Sequence, residues 1–374
     1  MTHLTHVTLI LTYACQLRCK MCGQVAGPAE APNSNQSKEH LPFDLVRQRL
    51  DEQESVRSTY LFGGEPLLYK EMPSLLNYLR DRRVTTGFTT NGLLLKKFAS
   101  TIIASHVENV AVSIDSHLVD IHDSIRGVTG CLEKALGGLD CLLDEREKAN
   151  AKYPRVEIHF TINPDNYTTM IDYYDHYVRR LPKVDQIMFH FPRFATQEMG
   201  REYTRIMREE FDTEALSWLG GFSDEDYNEA YTQIDVDLLH GQLKELLKRP
   251  KTFIIGPVDK SEILQYFHEP HVMPKGRACS CFNACSIQPN GDVVTCADYP
   301  DYVIGNIHEQ PLSEIWEGEK ARHWREYLMT HDHPGVLVKC SRLYPPVRGG
   351  VYRFIPRQIY QAIKLSKDNQ ARQE

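Results

Sequence analysis

Apolar residues in the first half of the chain follow two alternating periods. Short β-branched and aromatic runs fall at 7–11, 59–62, 87–90, 107–114, 156–162 and 186–191, which predicts strands. Between them, apolar residues recur at helical spacing over 43–52, 71–82, 94–105, 131–149 and 167–180. A strand followed repeatedly by a helix implies a parallel sheet with right-handed crossovers and helices outside it. Six such units are too few to close an eight-unit barrel, so the expected fold is α/β, a partial (β/α)6 TIM-like barrel spanning 1–192. In such sheets the chemistry gathers at the C-terminal ends of the strands.

The alternation breaks at 193–270, which is rich in Glu, Tyr and Arg and helical in spacing near 238–247. This stretch reads as a helical insertion bridging to a second unit. Residues 271–345 are rich in turns and cysteines and form a small C-terminal domain; 346–374 read as a basic helical tail. A run heavy in Ala, Pro, Asn, Ser and Gly at 23–41 reads as a loop.

Composition narrows the function. The formal charge of −7 leaves no excess of cations to neutralise phosphates, which argues against a nucleic-acid partner. No apolar stretch approaches the roughly 20 residues of a membrane span, and the N-terminal residues lack the pattern of a signal peptide. A cytoplasmic location with no membrane partner is the expectation. Ten cysteines are many for such a chain, and their clustering without a secretion signal favours metal ligation over disulfides.

Cys15, Cys19 and Cys22 lie in one loop directly after the first strand. Three soft thiolates suit an iron–sulfur cube and leave one iron open, whereas a structural zinc site would need a fourth ligand nearby. Other polar signatures also fall at or just past strand ends: Gly63-Gly64-Glu65-Pro66, Thr89-Thr90-Asn91-Gly92 and Ser113-Ile114-Asp115. The Cys-x3-Cys-x2-Cys spacing, followed in order by these segments and by Ile125-Arg126-Gly127, resembles the radical S-adenosylmethionine (SAM) superfamily over about the first 190 residues. The resemblance implies a [4Fe–4S] cluster on the three cysteines and SAM held by Met21, Gly63, Gly64, Glu65, Asn91, Ser113, Asp115 and Arg126. It also implies reductive cleavage of SAM to a 5′-deoxyadenosyl radical that takes a hydrogen atom from the substrate, with flavodoxin or ferredoxin as the kind of electron donor.

A second cysteine group begins at Cys279 and runs through Cys281, Cys285 and Cys296, with Cys340 beyond it. Asn290-Gly291 between Ile287 and Val293 is a hairpin signal. With Ile304-Gly305-Asn306-Ile307 and Leu312-Ser313-Glu314-Ile315-Trp316, the segment resembles the SPASM or twitch domain of radical SAM enzymes. The full SPASM pattern has seven cysteines; five here imply one auxiliary [4Fe–4S] cluster. Cys281, Cys296 and Cys340 fit best as its ligands, with either Cys279 or Cys285 as the fourth. Structural zinc is the competing reading of a cysteine-bearing hairpin. Cys131 and Cys141 sit in a helical, leucine-rich stretch and read as core packing. His190, at a strand end, could line a pocket.

The substrate expected is a small metabolite, a sugar or natural-product intermediate, undergoing oxidation, epimerisation or bond formation. The first strand begins by Val7, which leaves no room before it for a leader-binding domain. A maturase acting on a ribosomal peptide or protein side chain is the alternative, and a non-catalytic iron–sulfur or zinc scaffold is the other.

Overall fold

The structure is a computed structural model. It describes residues 3–26, 34, 38–222, 225–269, 272, 281–331 and 347–348, apart from the side chains of 25–26, 220–222, 225–228 and 281. Cys279, Cys340, the thiol of Cys281, and the expected tail apart from 347–348 therefore lie outside the described residues.

Strands β1 (His6–Thr12), β2 (Ser58–Gly63), β3 (Thr85–Thr90), β4 (Asn109–Ser113), β5 (Arg155–Thr161), β6 (Gln186–His190) and β7 (Thr252–Ile255) pair parallel in sequence order. β8 (Ala284–Ile287) pairs parallel with the other edge of β1. β9 (Asp292–Val294) and β10 (Val303–Asn306) continue antiparallel beyond β8, and β11 (Val347–Arg348) pairs antiparallel with β7. All eleven belong to one sheet.

The helices are α1 (Gly23–Ala26), α2 (Phe43–Asp51), α3 (Met72–Asp81), α4 (Leu95–Ala104), α5 (Val119–Arg126), α6 (Cys131–Lys148) and α7 (Met170–Arg180). Beyond these come α8 (Gln197–Phe211), α9 (Glu225–Thr232), α10 (Val236–Leu246), α11 (Lys260–Phe267), α12 (Leu312–Glu317) and α13 (Glu319–Thr330).

The six expected strands are present, each within about two residues of its predicted ends. The α/β fold with its parallel sheet matches the expectation. Two elements extend it. β7 is a seventh parallel strand inside the stretch expected to be helical; its four residues Thr-Phe-Ile-Ile are too short for periodicity to distinguish from a helical segment. α5 was not anticipated, because only eight residues separate Leu118 from Gly127.

One face of the sheet packs against the helices. Val110, Val112, Val156, Ile158, Phe160, Ile187 and Phe189 alternate along β4–β6 into a continuous apolar core. Phe160 meets Tyr173 of α7 at 4.6 Å and Phe189 at 5.3 Å, fixing that helix over β5 and β6. The hairpin expected at Asn290-Gly291 forms between β8 and β9, with Gly291 at φ +86°. No described helix is long and apolar enough to cross a membrane.

Candidate active site

The cysteine loop leaves β1 at Thr12 and is held from two sides. Gly64 N–H donates to the Thr12 carbonyl at 2.8 Å, and Glu65 N–H to the Ala14 carbonyl at 2.9 Å. This approach is possible only for glycine: a Cβ on Gly64 would lie 2.3 Å from the Ala14 oxygen and 2.4 Å from that of Tyr13. On the far side, Arg18 and Lys20 N–H groups donate to the carbonyls of Arg126 and Ile125 at 3.1 and 2.9 Å. There Gly127 (φ +71°) would put a Cβ 2.4 Å from the Arg18 oxygen.

These contacts bring the three thiols together. Cys15, Cys19 and Cys22 pack with Leu17, Met21, Leu93, Val128 and Cys131 in one small apolar cluster. Three N–H groups point at sulfur: Leu17 N at 3.5 Å and Asn91 Nδ2 at 3.8 Å from Cys15, and Arg126 Nη1 at 3.7 Å from Cys19. Burial pushes the Cys19 thiol up to about 12, against the pull of Arg126; burial likewise raises Cys15. Clustered sulfurs, an apolar surround and N–H donors fit an iron–sulfur cluster, whose iron charge would offset the cost of holding thiolates here.

The residues expected at SAM fall around this loop, but not all are open to it. Glu65 is buried, and its carboxylate accepts from Leu67 N at 3.0 Å, Thr90 Oγ1 at 2.7 Å and Asn91 N at 2.8 Å. Burial holds its pKa up at about 6, the three hydrogen bonds acting in the opposite sense. Its side chain thus ties the end of β2 to the end of β3. Asp115 is fully buried, with Oδ1 accepting from Thr161 N at 2.8 Å and Oδ2 lying 2.5 Å from Arg126 Nη2. Burial raises the Asp115 pKa, and the Arg126 charge opposes that rise. Ser113 and Met21 are half-buried and Asn91 is buried. The Nε of Arg126 is buried with no hydrogen-bond partner among the described residues, a donor suited to a carboxylate such as SAM carries.

Other features were not legible beforehand. Cys131 is buried as expected, but at the cluster loop rather than in the main core; its thiol donates to Asp123 at 3.2 Å. Asp123 also accepts from Gly130 N and Leu132 N, and His122 Nδ1 accepts from Asp115 N. Asp123 thus holds the start of α6, and His122, Asp123 and Cys131 are grouped closely beside it. Cys141 is half-buried at the core's edge.

The C-terminal unit docks beside the loop. Ala297 packs on Ile10, Tyr13 and Phe62, and the buried Tyr13 hydroxyl donates to Gln288. Asp298 pairs with Arg193, and buried Asp301 accepts from Tyr203, Leu216 N and Ser217. Cys296 is buried in this segment. Cys285 instead faces the apolar core with Ile287 and Val293, and burial alone pushes its thiol up to about 12.

Sequence comparison agrees with this geometry. Residues 9–148 match the radical SAM superfamily and residues 279–342 match SPASM, an iron–sulfur-cluster-binding domain. The chain belongs to the radical SAM superfamily and carries a SPASM domain: it is an enzyme with a [4Fe–4S] cluster, SAM and an auxiliary iron–sulfur cluster.

Among its relatives, an AdoMet-dependent heme synthase of Methanosarcina barkeri is 25% identical over 83% of this chain and 81% of its own. A mycofactocin maturase of Mycobacterium tuberculosis is 27% identical over 92% and 77%. The fold is shared with SuiB of Streptococcus suis, in a crystal structure with its precursor peptide SuiA. The TM-score is 0.59 at 14% identity, over 88% of this chain and 68% of that one.

Proposed function

We propose that this enzyme oxidises, epimerises or forms a bond in a small metabolite by hydrogen-atom abstraction, with Cys15, Cys19 and Cys22 holding the first cluster. Bound there, the cluster and SAM supply a 5′-deoxyadenosyl radical. The chain's own residues orient and shield that chemistry. Asn91 and Arg126 donate to the sulfurs, and Arg126 offers its free Nε to the SAM carboxylate. Asp115 holds Arg126 in place, Ser113 and Met21 face the SAM at the rim, and Glu65 locks the Gly63-Gly64 turn against the loop. Reducing equivalents come from a protein donor such as a flavodoxin or ferredoxin.

For the auxiliary cluster, Cys279, Cys281, Cys296 and Cys340 are the ligands. Burial of Cys285 in the apolar core supports leaving it out. The single observation that carries the assignment is the convergence of three thiols, three N–H donors and an unpartnered buried guanidinium nitrogen at one loop.

The small-metabolite reading draws on relatives named as synthases of heme and of Fe-coproporphyrin III. A peptide-maturase reading is favoured by the mycofactocin maturase. Extract from a native host, split into small-molecule and peptide fractions, separates the two. Stimulation of 5′-deoxyadenosine release by the small-molecule fraction alone supports the first reading; stimulation by the peptide fraction alone establishes the second.

A further inference from the structure

Along β4–β6 the sheet face turned away from the helices carries polar residues where a packed barrel would be aliphatic. A lumen filled for stability carries layers of Val, Ile and Leu. Here the residues between the core positions of β4–β6 include Ser113, Glu157, His159, Thr161, Met188 and His190. Glu157 is buried and the others keep part of their surface exposed, so this wall is not sealed by packing. A polar, open wall gives up burial energy, which points to a ligand.

Two imidazoles dominate it. The rings of His159 and His190 lie 4.5 Å apart across neighbouring strands. His159 Nε2 is 3.1 Å from Glu157 Oε2, with both side chains mostly buried. The carboxylate fixes that ring through Nε2, while Nδ1 has no hydrogen-bond partner among the described residues. Register places His159 opposite Ser113 on β4 and Met188 on β6, and His190 opposite Thr161. The pair thus stands on the strands beside the SAM-facing rim, where hydrogen abstraction would occur.

We infer that the inner wall of β4–β6 is the substrate's anion subsite, in which His159 and His190 hold a carboxylate and Glu157 positions His159. The inference rests on the radical SAM reading and narrows its substrate to one bearing a carboxylate. That group could belong to a small acid or to an acidic peptide side chain.

Calorimetric titration of the reconstituted, SAM-bound enzyme tests this with three probes: glutarate, its uncharged diamide glutaramide, and the capped peptide acetyl-Gly-Glu-Gly-amide. Glutarate should bind about tenfold or more tightly than glutaramide, since a hydrogen bond to a charged group is lost in the diamide. His159→Phe and His190→Phe should each weaken glutarate binding by about tenfold or more, and Glu157→Gln by a smaller factor. Preference for the peptide over glutarate would keep the subsite and assign it to a peptide substrate. Equal binding of glutarate and glutaramide would overturn the inference. So would wild-type affinity in the double variant His159→Phe/His190→Phe, or no saturable binding of either carboxylate at tens of millimolar. SAM affinity and 5′-deoxyadenosine release, measured on the same preparations, separate the outcomes. If both persist while carboxylate binding is absent, the subsite alone fails; if both are absent, the radical SAM reading fails.

Discussion

Arg126 Nη2 lies 2.5 Å from Oδ2 of Asp115, while the neighbouring Nη1 reaches Cys19 Sγ at 3.7 Å. One side chain therefore joins the end of β4 to the cysteine loop. Breaking a buried pair strands a charge, which costs about 3–5 kcal/mol. Arg126→Gln should lower stability by that order and weaken SAM binding, and the double variant Asp115→Asn/Arg126→Gln should recover stability but not SAM affinity. Thermal unfolding and SAM titration check both; equal stability of the single variant and wild type would contradict the pairing.

Gly64 has no room for a side chain beside the carbonyls of Tyr13 and Ala14. Gly64→Ala must push the cysteine loop away from the end of β2. Iron retained at the first site should fall while the auxiliary site keeps its own, as read by iron analysis and Mössbauer spectroscopy. Full iron content in this variant would show the loop does not depend on that contact.

Much of this site was legible because strand-end motifs are local: a short apolar run followed by Cys, Gly-Gly or Ser-x-Asp can be read without knowing the fold. The pairings were not. Arg126 is the last residue of α5, which the sequence pattern did not announce and which turns it back onto Asp115. Cys131 was rightly expected to be buried, but its neighbours Leu17 and Cys19 are brought to it by α5 and the Gly127 turn. β8 joins β1 across most of the chain, a contact no local pattern encodes. Alternation in β5, with Glu157, His159 and Thr161 set between Val156, Ile158 and Phe160, did contain the signal for the polar wall.

Glu65 titrates at about 6 when folded, against 4.5 as its ordinary value. A carboxyl raised on folding contributes stability that is whole below pH 4.5 and is lost as pH rises through 6. The stability of wild type relative to Glu65→Gln should therefore decline by about 1–2 kcal/mol across that window. Denaturant unfolding of cluster-free protein at several pH values measures it; a difference that is flat or rises with pH would contradict the burial of this carboxylate.

Cys285, held protonated in the apolar core, should resist alkylation in the native protein and react on unfolding. Cys285→Ala should keep the wild-type complement of two clusters, close to eight irons, the count a ligand tally supports. Loss of about four irons in this variant would make Cys285 a ligand, and zinc in place of the second cluster would make the C-terminal unit structural.

The central claim is that the loop carrying Cys15, Cys19 and Cys22 is where SAM is cleaved. Dithionite-reduced protein incubated anaerobically with SAM should release 5′-deoxyadenosine. The triple variant Cys15→Ala/Cys19→Ala/Cys22→Ala should release none while retaining iron in its C-terminal domain. Undiminished release by that variant would contradict the account.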